Sequence, residues 1–141
     1  MNIMEEKNNI FDKIIYIEKE FPNQPPENEE GNKEYKWNLI PSYFTNINKK
    51  CNKLASQMKY RLWEGDGKAV YLLGVTDDGK SVGLTEIDLY KSLTVLINAA
   101  NKIKTNVDAI RLYNRGNDYI ATVRLSNTKI TQLFDKNNEN I

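Results

Sequence analysis

The chain has 141 residues, 40% of them hydrophobic and 28% charged, with a net charge of +1, one cysteine and no histidine. That is the composition of a single soluble domain with one core. It excludes histidine-dependent catalysis, histidine-ligated zinc, an internal disulfide and a multi-cysteine metal site.

Met1 to Asn9 has no periodicity and is expected to be disordered. Ile10, Phe11, Ile14, Ile15 and Ile17 predict a short helix at about 10–21. Three prolines and a glycine between Pro22 and Asn32 forbid regular structure and predict a linker, so the folded domain is expected to span 33–126. Tyr35, Trp37 and Leu39 alternate as a strand would. Phe44, Ile47, Cys51, Leu54, Ala55, Met58 and Leu62 form one face of a long helix, and Gly65-Asp66-Gly67 ends it.

Ala69 to Val75 is apolar throughout, the mark of a strand covered on both faces. Asp77-Asp78-Gly79 is hairpin-turn chemistry, with Ser81 to Leu84 expected to return antiparallel. Thr85 and Asp88 have the spacing of a capped helix start, and Leu89, Leu93, Leu96, Ala100 and Ile103 form its buried seam. Val107–Tyr113 and Asp118–Leu125 flank Asn114-Arg-Gly-Asn117 as a second hairpin. Residues 127–141 are expected to be a C-terminal linker, with Thr128 to Phe134 a candidate for one more short element. The predicted fold is α+β: a mainly antiparallel sheet of about five strands packed with two long helices.

No apolar run approaches the roughly 20 residues of a membrane span. The N-terminus carries acid and is not a targeting peptide, so cytoplasmic residence without membrane contact is expected. No G-x-x-x-x-G-K-[ST] phosphate loop is present. Two groups of residues are candidates for chemistry. Lys49, Lys53, Lys59, Tyr60, Arg61 and Trp63 mix charge and aromatics on the first helix. They read either as a surface for RNA phosphates and bases or as a solvated helix face. Glu29, Glu34, Asp77 and Asp78 read either as a carboxylate cluster for metal-assisted phosphodiester cleavage or as a linker and a turn. Lys102 and Lys104 read as cations at a helix C-terminus, and Cys51 as a buried thiol. No catalytic residue and no metal ligand is assigned.

"EEGNKEYKWNL" (Glu29 to Leu39) and "LASQMKYRLWEGDGKAVYLLGVTDDGKSVGLTEIDLYKSL" (Leu54 to Leu93) resemble the N-terminal region of the GTP-binding protein one and two family, elongation-factor-like translational GTPases. The matching residues include Glu30-Gly31-Asn32, Glu34-Tyr35-Lys36, Gln57-Met58-Lys59, Glu64-Gly65, Gly74-Val75 and Val82-Gly83-Leu84. The resemblance implies an accessory domain of a larger protein that binds GTP and Mg²⁺ and acts in translation. It implies as partners that protein's own GTPase domain and tRNA or the ribosome. The piece in hand is expected to be no enzyme and to need no cofactor. A shorter stretch, Glu29 to Lys36 followed by the Gly74-Val75 hairpin, is similar to the AlbA-like domain of schlafen proteins. Some of those are ribonucleases with two glutamates and an aspartate at the site, for which Glu29, Glu34 and Asp77 or Asp78 would stand. A protein-interaction module without RNA affinity is the third reading.

Overall fold

The computed structural model describes residues 12–40 and 46–132. The expectations for residues 1–9, for Phe44 and for the tail beyond 132 lie outside them. Five strands form one sheet: β1 (Ile14–Ile17), β2 (Lys33–Lys36), β3 (Lys68–Leu73), β4 (Asn106–Asn114) and β5 (Tyr119–Ser126), in the order β1-β4-β5-β3-β2. Helices α1 (Ile47–Glu64) and α2 (Glu86–Lys102) pack on one face.

The α+β class and the element count match the sequence reading, but the sheet is mixed. The inner pairs β4–β5 and β5–β3 are antiparallel, whereas the outer pairs β1–β4 and β2–β3 are parallel. The parallel pairs arise because each edge strand reaches its partner only after a crossover, β2 to β3 through α1.

β3 sits between β5 and β2 and is covered on both sides. Ala69, Tyr71 and Leu73 face the helices, where they meet Leu54, Met58 and Leu62 of α1 and Leu93 and Leu96 of α2. Leu72 faces away, into a smaller cluster with Tyr35, Val75 and Ile120. A bulge in β4 between Val107 and Ala109 lets Val107 and Ile110 both face the helices while Asp108 turns out to meet the Ser126 hydroxyl at 3.0 Å.

Four expectations need correction. A strand, not a helix, stands at Ile14–Ile17: Ile-Ile-Tyr-Ile has strand propensity, and its register with Ile110 to Tyr113 gives it a ladder that a lone short helix lacks. Pro22 to Asn32 is irregular but is packed against the domain. Phe21 stacks edge-on against Tyr113 at 5.1 Å, the Tyr35 hydroxyl donates to the Pro25 carbonyl at 3.1 Å, and the Glu27 N–H donates to the Asp77 carbonyl at 2.7 Å. The expected boundary at Lys33 therefore falls inside the folded body. The return leg after Asp77-Asp78-Gly79 makes only single bridges, Val75 to Ser81 and Leu84 to Tyr119, because β2 and β5 already occupy both edges of β3. Residues 127–130 form a turn with Ile130 packed on the core rather than a free linker.

Candidate nucleic-acid interface

Helix α1 starts at Asn46, whose side chain accepts from the Lys49 N–H at 3.2 Å. At 100° per residue, Lys49 and Lys53 lie about 40° apart on its outer side, and Lys59 lies about 120° from Lys53. All three are exposed, and no carboxylate among the described residues pairs with them.

The six residues grouped by sequence do not form one face. Arg61 points inward and is 3% exposed. Its Nε donates to Glu34 Oε1 at 3.0 Å, its Nη1 to the carbonyls of Glu30 and Gly31 at 3.1 and 2.9 Å, and its Nη2 to the Asn28 carbonyl at 3.0 Å. A guanidinium so buried and so engaged is not presented to RNA. It clamps the segment before β2 onto α1. Tyr60 is partly exposed, but its hydroxyl lies 3.0 Å from both the Glu29 carbonyl and Glu64 Oε1, which share its one proton, and the Arg61 guanidinium lies 5.6 Å from its ring centre. Trp63 is 41% exposed at the helix end.

The carboxylates are also dispersed. Glu34, 5% exposed, is committed to Arg61, with Lys36 Nζ at 3.9 Å from its second oxygen. Asp78 accepts from the Thr76 hydroxyl and, at 3.1 Å, from the Lys80 N–H; these bonds hold its carboxyl below the ordinary range. That is turn chemistry. Asp77 and Glu29 are exposed, and their backbone carbonyls serve as acceptors. Among the described residues no three acidic, cysteine or histidine side chains are placed to hold a metal.

Sequence reasoning missed Glu27, whose carboxylate accepts from the Tyr35 N–H. Burial, then a hydrogen bond with Glu34, pushes its pKa up against the nearby Arg61. It also placed Lys102 and Lys104 only as caps, and passed over Lys129. In the fold these three share a groove of about 500 Å³ with Lys59. Their distance in sequence concealed it. A second groove holds Lys36, Lys50 and Lys53. There Lys50 Nζ donates to the Ile40 carbonyl at 3.0 Å, and burial lowers its pKa.

Among the described residues neither helix start is open to a GTP phosphate. Each helix start is closed by its own side-chain cap, Asn46 or Thr85. The glycine before α2, Gly83, lies against the Asp118 carboxylate, which pairs with Arg115 at 2.8 Å and fills the space a phosphate would need. No helix among the described residues is long and apolar enough to cross a membrane.

The fold and surface define a small α+β domain with a basic helical side. No family model and no solved structure matches the chain. Over 110 residues, 77% of the chain, it is 40% identical to GTP-binding protein 2 of Mus musculus, covering 17% of that protein. Over 91 residues, 64% of the chain, it is 43% identical to GTP-binding protein 2 of Homo sapiens, covering 14%. The chain is thus related to the GTP-binding protein one and two family, as its motifs indicate, and spans less than a fifth of the length of these curated relatives.

Proposed function

We propose that the chain is an accessory domain of an elongation-factor-like GTPase and makes RNA contacts, with tRNA or the ribosome, beside its own GTPase domain. The observation that supports the RNA contact is the set of exposed lysines on α1, Lys49, Lys53 and Lys59, without carboxylate partners among the described residues. GTP and Mg²⁺ belong to the larger protein, and cytoplasmic residence fits work in translation.

The test is a tRNA mobility shift at low salt. Micromolar or weaker binding is expected, falling with a log-log salt slope of about −2 to −3 for three phosphate contacts. Changing Lys49, Lys53 and Lys59 together to glutamate should abolish it. Arg61 must be left intact in that variant, since it holds the fold. An unshifted tRNA would leave the lysines as a solvated face and favour the protein-interaction reading, for which Ile47, Ile87 and Tyr90 offer exposed apolar surface. The ribonuclease reading loses ground because Glu34 is spent on Arg61. RNA incubated with the chain and Mg²⁺ or Mn²⁺ should stay intact, and cleavage lost on Glu34→Gln would restore that reading.

A further inference from the structure

We propose that the groove between the C-terminal end of α2 and the turn after β5, walled by Lys59, Lys102, Lys104 and Lys129, binds consecutive phosphates of one RNA strand. This rests on the RNA-contact reading and moves its strongest contact away from the outer face of α1, where Lys49 and Lys53 lie.

The four lysines come from three separate parts of the chain and meet around one concavity of about 500 Å³, in the size range of ligand clefts. Among the described residues no carboxylate lines it or pairs with any of the four. Lys102 Nζ donates to the neutral Asn52 side chain at 2.8 Å, which orients the ammonium without cancelling its charge. Four like charges in one groove repel each other, and a bound polyanion relieves that repulsion.

A helix C-terminus would ordinarily repel an anion. Here three of the terminal carbonyls are occupied by the protein. The Ala100 carbonyl accepts the N–H groups of Ile103 and Thr105, the Asn101 carbonyl accepts that of Lys104, and the Ile103 carbonyl accepts from Asn127 Nδ2 at 3.1 Å. The same Asn127 amide reaches the Thr105 hydroxyl, and its Oδ1 takes the Lys129 N–H, both at 3.1 Å. One side chain thus braces the turn that carries Lys129 against the loop that carries Lys104.

Lys104 has φ +51°, in the left-handed region where a glycine usually follows a helix. A charged side chain kept at that position costs the fold and is accounted for by binding. Its lining among the described residues carries no aromatic side chain, so it offers charge without a stacking platform. It should therefore follow the backbone and ignore base identity.

The test measures binding of a fluorescein-labelled, unstructured 12-nucleotide RNA to the full 141-residue chain over a salt series. The wild type should show a log-log slope near −3, taking about 0.7 per contact for four contacts. The triple variant Lys102→Gln, Lys104→Gln, Lys129→Gln should lose at least about tenfold in affinity at low salt, with the slope shallower by about 2. The double variant Lys49→Gln, Lys53→Gln should lose less than about threefold, and oligouridine and a mixed sequence should bind equally within about threefold. A larger loss in the double than in the triple variant would overturn the groove and keep the RNA reading. No binding by the wild type would overturn both. Lys104→Gly separates binding from folding: it should weaken binding while Tm stays level or rises. A fall in Tm would assign Lys104 a structural role and overturn its place in the site. If the triple variant does not fold, Lys104→Gly and Lys129→Gln alone decide, and unchanged affinity in both would overturn the proposal.

Discussion

At the scale of single residues, Arg61 matters most. Its planar fork serves one carboxylate and several carbonyls at once, which a lysine cannot do. Arg61→Ala leaves the buried Glu34 with only the long 3.9 Å contact to Lys36, and should cost about 3–5 kcal/mol in urea unfolding. A loss under about 1 kcal/mol would mean the clamp contributes little. Glu27 gives a pH dependence. An acid whose folded pKa stands above its ordinary 4.5 holds its proton more tightly in the fold. Its stabilising share is complete below 4.5 and is lost as the pH rises through the raised value. Asp78, held low, acts only below its ordinary 3.8 and stays outside that window. Tm should therefore decline less from pH 5 to 8 in Glu27→Gln than in the wild type, and parallel curves would refute the burial of that charge. Neither role was legible in sequence, since Arg61 falls among lysines in the chain and only the fold turns it inward.

At the scale of elements, periodicity served the helices well. Cys51, Leu54, Ala55, Met58 and Leu62 are buried as their spacing predicts, and Thr85 caps α2 with its side chain on the Asp88 N–H at 3.2 Å. It failed at β1, where four apolar residues are too few to separate a period of 2 from one of 3.6. It failed also for the strand pairings, because parallel partners leave no local signal such as a turn. Gly74 and Gly83 face each other for a reason the sequence does not carry. The chain crosses itself there: a Cβ on Gly74 would stand 3.2 Å from the Gly83 Cα, and one on Gly83 would stand 2.4 Å from the Asp118 carboxyl carbon. Gly83 also has φ +83°. Gly83→Ala should cost about 1–3 kcal/mol. Gly116→Ala, at φ +95° with open space around it, should cost less because only backbone strain enters. Equal losses by thermal unfolding would deny the Asp118 contact.

At the scale of the whole molecule, the candidate interface was half legible. The sequence marks α1 as basic, but the groove needs residues 59, 102, 104 and 129 brought together by the end of the sheet and its turn. The chain alone should not bind GTP, since neither helix start offers a phosphate cradle. Saturable micromolar binding of a fluorescent GTP analogue would contradict this. The parallel edge also sets an order of events during synthesis. Ile14 pairs with Ile110, so 96 residues (110 − 14) separate a ladder's two sides. At about 5–20 residues per second, the first strand leaves the ribosome about 5–20 seconds before its partner exists. Ile15 and Tyr16 stay half or more exposed even afterwards. Throughout that interval a sticky apolar ribbon trails from the nascent chain. A chaperone that grips short hydrophobic segments would meet it first, and would hold it until β4 emerges to pair with it.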